Sequence, residues 1–168
     1  MPIRNTLSWS EASDWREQQR LEGRKVVFTN GVFDILHAGH VELLDRCRAE
    51  GDVLILGLNS DVSVRRIKGH RRPIVPEQDR ATILLGLKAV DALVLFDEDT
   101  PAKLIDTLKP DVLVKGGDYT PDQVVGRDTV ETSGGKVVII PLVEGRSTTN
   151  IVETVLKRYN DELHEGVD

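Results

Sequence analysis

The chain has 168 residues, of which 39% are hydrophobic and 30% charged, and a formal net charge of −6 at pH 7. These values predict a soluble globular protein with a real core, and the length leaves little room for two domains. The acidic balance and the 4% of aromatic residues disfavour a general nucleic-acid-binding protein. The lone Cys47 excludes an intramolecular disulfide and fits a reducing compartment.

Neither a membrane span nor a secretion signal is apparent in the sequence. No apolar run approaches the roughly 20 residues that cross a bilayer, and the first residues lack the apolar segment of a signal peptide. We therefore expect a cytoplasmic protein with no membrane partner. A homo-oligomer is compatible with the sequence, which gives no firm argument for one.

Residues 1–23 predict a charged helix that begins after Ser8 or Ser10 and ends at Gly23. Trp9 and Trp15 would lay one face of this helix on the rest of the protein. We interpret the segment as a helical appendage, followed by one domain over residues 24–159 and a polar tail over 160–168.

From residue 24 onward, short apolar runs alternate with patterns typical of amphipathic helices. Strands are predicted over 25–29, 53–58, 92–96, 112–114 and 136–141. Helices are predicted over 41–50, 77–89, 101–108 and 148–162. Strands that are apolar on both faces and separated by helices indicate a parallel sheet covered on both sides. We therefore predict a single, Rossmann-like, doubly wound α/β domain of about five strands, whose ligand lies at the carboxyl ends of the strands.

The most informative segment, residues 29–40, connects the first of these strands to the following helix. It places His37 and His40, separated by a small residue and Gly39, at the start of the helix. Free N–H groups and a partial positive charge at this point favour phosphate, and imidazoles would add donors. Two nearby histidines are also compatible with metal ligation or with an ordinary polar loop. We favour the phosphate hypothesis because of the strand–glycine–histidine–helix order.

Polar residues also follow the second strand. Asn59 and Asp61 lie at its end, where a cap for the next helix is an equally good explanation for Asp61. In the run 65–73, six of nine residues carry positive charge if His70 is counted. Either a solvated loop or a mobile flap that brings Lys68 to phosphates fits this run. Arg80, early in the next helix, is compatible with an ordinary pair with Glu77 or with the site.

The last two strands end in similar chemistry. Lys115 is followed by Gly116, Gly117 and Asp118, and the glycines let the backbone approach a ligand closely. Hydroxyls of residues 147–149 open the final helix, where they serve as caps, as an anion site, or as both. The chain lacks a Gly-x-Gly-x-x-Gly after the first strand and lacks a Walker A motif, which disfavours dinucleotide-binding and P-loop proteins.

These pieces resemble the nucleotidyltransferase superfamily that includes cytidylyltransferases and small adenylyltransferases. The resemblance covers residues 25–158, with His-x-Gly-His at 37–40, Asn-Ser-Asp at 59–61, Val-Lys-Gly-Gly-Asp-Tyr at 114–119 and Ser-Thr-Thr-Asn-Ile at 147–151. The pattern is most similar to the heptose 1-phosphate adenylyltransferase domain of the bifunctional heptose kinase/adenylyltransferases. Two departures are the absence of the kinase half and the presence of Arg146 where relatives often carry a small or apolar residue.

The resemblance implies transfer of AMP from ATP to D-glycero-β-D-manno-heptose 1-phosphate, with a separate heptose kinase acting upstream. It implies Mg²⁺ with ATP and no resident protein metal site. The expected catalytic residues are His37, His40, Lys68 and Lys115. The expected nucleotide-binding residues are Thr29, Asn30, Gly31, Phe33, Gly39, Arg80, Ser147, Thr148 and Thr149. The expected substrate-binding residues are Asp34, Asn59, Asp61, Gly116, Gly117 and Asp118.

Two other functions are compatible with the same residues. One is a cytidylyltransferase that acts on a polyol phosphate, because backbone groups usually identify the base. The other is a nucleotide-sensing domain that binds ATP without turnover, which the full set of histidines and lysines disfavours.

Overall fold

The computed structural model describes residues 6–165, which form six strands and seven α-helices. The strands are β1 (Thr6–Leu7), β2 (Val26–Gly31), β3 (Val53–Asn59), β4 (Ala92–Phe96), β5 (Val112–Gly116) and β6 (Lys136–Ile140). The helices are α1 (Trp9–Leu21), α2 (Ala38–Ala49), α3 (Asp61–Lys68), α4 (Glu77–Leu85), α5 (Ala102–Leu108), α6 (Arg127–Thr132) and α7 (Thr148–Glu165). None of these helices is long and apolar enough to cross a membrane.

All six strands run parallel in one sheet, in the order β1-β4-β3-β2-β5-β6. The chain moves outward from β2 through β3 and β4, then crosses back to β5 and β6 on the other side. The order therefore reverses between β2 and β5, which is where open parallel sheets bind ligands. The predicted doubly wound α/β class is confirmed.

Alternate residues of each strand supply two separate cores, one on each face of the sheet. Val27, Leu54 and Leu56 belong to one core, and Phe28 and Ile55 belong to the other; all are fully buried. Burial on both faces explains why the strands are continuously apolar instead of alternating with polar residues.

The N-terminal segment adds the sixth strand, where about five were predicted. Thr6 and Leu7 of β1 pair with Leu93 and Val94 at the edge of β4. A two-residue strand has no periodicity to recognise, so its pairing depends on the edge that β4 offers. Helix α1 then begins with the expected cap at Ser8, whose hydroxyl and backbone both bond to Glu11.

The basic run 65–73 is partly helical, which differs from both the loop and the flap expected from the sequence. Arg65, Arg66 and Lys68 lie on α3, because Ser60 caps its first turn and Val64 anchors it in the core. The helix ends at Gly69, whose φ of 91° requires a residue without a side chain. The part of the run that remains a loop begins there.

Near the C-terminus the structure contains short elements that the sequence did not predict. A 3-10 turn (Pro121–Gln123) and α6 connect β5 to β6, and neither was predicted. Helix α7 extends through Glu165, into the segment expected to be a polar tail, and residues 166–168 lie outside the described residues.

Candidate active site

A cavity of about 400 Å³ opens at the carboxyl end of β2, between the start of α2, the end of α3 and the start of α7. Nine of the residues predicted from the sequence line it: Phe33, Asp34, His37, Gly39, His40, Lys68, Ser147, Thr148 and Thr149. The cavity therefore brings together three separate segments of the sequence, residues 32–43, 68–72 and 142–149, at the switch point of the sheet.

The two histidines stack face to face in this cavity. Their ring centroids are 3.8 Å apart with an angle of 22° between planes, and the edge of Phe33 packs on His40 at 5.1 Å. Phe33 has a φ of 46°, an unusual conformation for a residue with a side chain, which indicates backbone strain at this turn. The Nδ1 atoms of both imidazoles are buried and make no hydrogen bond to the described residues. Packing holds these rings, so the fold leaves their hydrogen-bonding capacity unused.

Burial keeps both imidazoles neutral at pH 7. Desolvation, with a smaller contribution from the neighbouring His37, lowers the pKa of His40 from 6.5 to about 4. Desolvation and the nearby Arg146 lower the pKa of His37. In the free protein the rings are thus neutral hydrogen-bonding groups, and a bound anion would raise both pKa values.

Two helix N-termini face the same cavity. At the start of α2, His37 occupies the capping position without a side-chain cap bond, and the first turn carries no acidic residue. At the start of α7, Ser147 accepts a hydrogen bond from the Asn150 amide, and Thr148 donates to the Ile35 carbonyl at 3.3 Å. Helix N-termini carry partial positive charge, so the pair favours a multiply charged anion between them.

The loop after α3 is fastened to the cavity by Asp34. Its buried carboxylate accepts hydrogen bonds from Arg72 Nε and from the backbone amides of Ile74 and Val75, at 2.8 Å for the closest contact to each amide. Arg72 also lines the cavity beside Lys68. The Asp34 carboxylate thus acts as an anchor that holds the basic loop over the histidines.

Arg80 lies beneath the cavity and does not line it. Its guanidinium is 1% exposed and donates to the carbonyls of Val75, Val32 and Asn59 at 2.9, 2.7 and 2.9 Å. The Nη2 atom donates to Asp61 Oδ1 at 2.7 Å. These bonds occupy the guanidinium and tie together α4, the loop after β2 and the end of β3.

Other residues predicted to bind ligands are also engaged within the fold. The Thr29 hydroxyl donates to the Val114 carbonyl at 3.0 Å, and the Asn59 amide donates to the Ser63 hydroxyl at 3.0 Å. Asn30 and Gly31 complete β2, and a Cβ on Gly31 would lie 2.7 Å from the Phe33 ring. Thr29, Asn30 and Gly31 thus belong to the strand that leads into the turn of Phe33 and the histidines, and Asn59 bonds to α3.

The predicted residues at the end of β5 lie next to the cavity without lining it. Burial lowers the pKa of Lys115, whose ammonium lies 5.4 Å from the centroid of the Tyr119 ring. Gly116 packs against Leu43 and Leu142, which do line the cavity; a Cβ would be 3.0 Å from either side chain. Gly117 is buried and Asp118 is exposed. This group lies on the β5 side of the switch point, and its part in ligand binding stays a prediction.

Two cationic residues that the sequence did not assign to the site complete the lining, Arg72 and Arg146. Arg72 belongs to the basic run, which signalled charge without indicating which side chain would turn inward. Arg146 was noted only as a departure from relatives, and its position between the strand and α7 brings it beside His37. A Cβ on Gly39 would lie 3.3 Å from the Arg146 Cβ, so the small residue admits this contact.

The residues of the cavity do not fit a resident metal ion. Asp34 is the carboxylate that lines the cavity, and its oxygens are already engaged by Arg72 and two amides. No group of three or more histidine, cysteine or acidic side chains suited to a metal occurs within the described part of the chain. Burial raises the pKa of Cys47 to about 12, so this thiol is also unsuited as a ligand or nucleophile.

The sheet order and the anion-favouring cavity at its switch point define an α/β nucleotide-binding domain. A family model described as cytidylyltransferase-like matches residues 28–156. The chain belongs to this cytidylyltransferase-like family, which confirms the nucleotidyltransferase resemblance found in the sequence.

Curated relatives and solved structures agree with this assignment. The bifunctional protein HldE of Syntrophotalea carbinolica is 61% identical over 146 residues, and that of Geobacter metallireducens is 58% identical over 146 residues. Each match covers 87% of this chain and 30% of the relative, so the chain spans about 30% of their length. A lipopolysaccharide core biosynthesis protein from Thermoplasma volcanium is 31% identical, with a TM-score of 0.60 over 74% of this chain and 100% of that one. Pantoate-beta-alanine ligase from Francisella tularensis shares the fold at 18% identity, with a TM-score of 0.58 over 93% of this chain and 78% of that one.

Proposed function

We propose that the chain is an adenylyltransferase that transfers AMP from ATP to D-glycero-β-D-manno-heptose 1-phosphate, giving ADP-heptose and pyrophosphate. The observation that carries the proposal is the single cavity in which His37, His40 and Lys68 meet two helix N-termini. The likeness to the HldE proteins and to a lipopolysaccharide core biosynthesis protein supports a sugar phosphate as acceptor. The product would serve lipopolysaccharide or surface polysaccharide assembly in the cytoplasm, and a heptose kinase activity would supply the acceptor.

The reaction depends on stabilising negative charge more than on transferring a proton. An oxygen of the sugar phosphate attacks the α-phosphorus of ATP, a new P–O bond forms, and the bond to the β-phosphate breaks to release pyrophosphate. The attacking oxygen is already anionic at pH 7, so no general base is needed. The barrier comes from bringing two anions together, and positioning with charge stabilisation lowers it.

Each group in the cavity has a proposed part in this reaction. His40 donates a hydrogen bond to the α-phosphate as charge builds there, and His37 binds the adjoining phosphate. Lys68 neutralises the departing pyrophosphate, whose oxygens Ser147, Thr148 and Thr149 bind at the start of α7. Lys115 and Asp118, on the β5 side, contact the acceptor.

Magnesium enters with ATP in this proposal. Because Asp34 is committed to the basic loop, phosphate oxygens and water supply the ligands of the ion. The bound ion would neutralise phosphate charge, while the protein's own residues orient the phosphates and the acceptor.

A substrate panel tests the proposal. Each of ATP, CTP, GTP and UTP is incubated with heptose 1-phosphate, glycerol 3-phosphate or other sugar phosphates, and pyrophosphate release is measured with product masses. We expect ADP-heptose from ATP and heptose 1-phosphate, and a large loss of rate in His40→Ala, which also controls for contaminating enzymes. A CDP-polyol product would replace the proposal with the cytidylyltransferase alternative. ATP binding without any pyrophosphate release would favour the sensing domain.

A further inference from the structure

One guanidinium of the cavity has no partner within the described fold. Arg72 and Arg146 both line the cavity. Arg72 is paired with the buried Asp34 carboxylate, whereas Arg146 makes no hydrogen bond and no ion pair with the residues that the structure describes. Glu144, the acidic residue nearest to it in sequence, is exposed and is not among its partners. The positive charge of Arg146 is therefore free to meet a ligand.

The position of Arg146 is unfavourable for a cation in the free protein. Arg146 lies two residues before the first residue of α7, and it approaches the first turn of α2, where a Cβ on Gly39 would be 3.3 Å from the Arg146 Cβ. Helix N-termini carry partial positive charge, which repels cations and attracts anions. A cation beside two helix N-termini, paired with no carboxylate of the described residues, reduces stability until an anion binds. This arrangement indicates a binding role for Arg146 and not a role in holding the fold.

The stacked rings place Arg146 at the outer end of the cavity. The edge of the buried Phe33 packs on His40 at 5.1 Å, and His40 stacks on His37 at 3.8 Å. Desolvation and then the charge of Arg146 lower the pKa of His37, so Arg146 lies beside the outer ring. Arg146 itself is exposed. The order from the core to solvent is thus Phe33, His40, His37 and Arg146.

We propose that Arg146 binds the terminal phosphate of a nucleoside triphosphate and makes the cavity select a triphosphate over a diphosphate. The inference rests on the proposed function, in which His40 binds the α-phosphate and His37 the adjoining phosphate. The next group outward, Arg146, then faces the third phosphate. A guanidinium donates two parallel hydrogen bonds to phosphate oxygens, and a diphosphate would leave them unmade. The same contact would bind pyrophosphate, which contains the former terminal phosphate of ATP.

Calorimetric titration with ATP and with ADP, in Mg²⁺ and without an acceptor, tests this role apart from catalysis. Arg146→Ala should raise the Kd for ATP about tenfold or more, because hydrogen bonds to a charged group are lost, and should raise the Kd for ADP less than about threefold. Arg146→Lys, which keeps the charge but not the paired donors, should recover part of the affinity for ATP. Equal losses for ATP and ADP, or an unchanged affinity for ATP, would overturn the proposal.

Arg158→Ala is the matched control, because Arg158 is exposed on α7 and does not line the cavity. It removes the same charge from the chain, so it separates a local contact from the general effect of net charge, which salt screens. The Kd values for ATP and for ADP should both stay close to those of the wild type. A loss of ATP affinity as large as that of Arg146→Ala would show that net charge accounts for the effect, and the proposal would fall.

Urea unfolding distinguishes a binding role from a structural one. Without ligand, Arg146→Ala should unfold at the same urea concentration as the wild type or at a higher one, because a cation is removed from two helix N-termini. Pyrophosphate, which binds the folded state, should raise the midpoint of the wild type more than that of the variant. A lower midpoint of Arg146→Ala without ligand would contradict the proposal. A wild type that shows the expected preference for ATP but forms no ADP-heptose would refute the proposed acceptor and still support the role of Arg146.

Discussion

The basic side chains of this domain lie in two regions that differ in whether their polar atoms are already hydrogen-bonded within the fold. Beneath the cavity, the guanidinium of Arg80 is buried and bonded to three carbonyls and a carboxylate. Within the cavity, His37 and His40 are held by stacking, and their buried Nδ1 atoms have no partner among the described residues. The first region builds the site and the second has donors and acceptors left for a ligand.

Substituting Arg80, beneath the cavity, should have the largest effect, and this effect should be a loss of stability. Arg80→Met leaves the Asp61 carboxylate and three carbonyls without their donor, and breaking such a buried pair costs about 3–5 kcal/mol. Urea unfolding would measure the loss. Arg46→Met is the control, because its pair with Glu42 on α2 is exposed and should contribute less than about 1 kcal/mol. An equal, small loss in both variants would contradict the role assigned to Arg80.

Substituting His40, within the cavity, should lower turnover more than it lowers stability. His40→Ala takes away the donor that we propose for the developing charge on the α-phosphate, and we expect kcat to fall by at least about 10²-fold. The free energy of unfolding should fall less than in Arg80→Met, because His40 is half-buried and loses ring packing but no hydrogen bond from Nδ1. His40→Asn, whose side-chain amide keeps hydrogen-bond donors, should recover part of the rate. Near-normal turnover of His40→Ala in the substrate panel would remove its proposed contact with the α-phosphate.

The sheet and the histidine cavity were predictable because their signals are local. Continuous apolar runs identified β2 to β6, and the switch point followed from their alternation with helices. The edge strand β1 has two residues, and its pairing depends on β4, which no local pattern reveals. The basic residues on α3 suggested a loop. The buried Val64 and the cap at Ser60, which favour a helix, are weak sequence signals in a segment of eight residues with four charges.

The role of Arg80 depends on distant backbone atoms and therefore escaped sequence analysis. Its partners Val32 and Asn59 are 48 and 21 residues away, and both contribute carbonyls, which every residue type carries. A sequence reports which side chains are charged, but it does not report which carbonyls the fold brings to them. The same limit applies to Asp34, which was expected to bind the substrate and whose bonds to Arg72, Ile74 and Val75 no local pattern indicated.

Asp34 connects the two regions, and its substitution should have an intermediate effect. Asp34→Asn removes the charge that Arg72 and two amides share, and hydrogen bonds to a charged group contribute about 1.5–3 kcal/mol. Hydrogen exchange of the Ile74 and Val75 amides should therefore accelerate by about tenfold or more. Asp79→Asn, exposed on α4, is the control and should leave these amides unchanged. Unaltered exchange in Asp34→Asn would mean that other contacts fasten the basic loop.

A prediction confined to mildly acidic pH follows from the neutral state of the stacked histidines. Burial lowers the pKa of His40 to about 4 in the folded protein, whereas the unfolded chain binds its proton near 6.5. Between these values the unfolded state holds more protons, so this residue makes stability fall as the pH drops from 6.5 toward 4. His40→Gln should reduce that dependence in urea unfolding at a series of pH values. In NMR titrations the pKa of His40 should rise when ATP is added, because bound phosphate favours the imidazolium. A pKa near 6.5 in the free protein would show that the ring is solvated and not held in the stack, and the contrast between the two regions would then be lost.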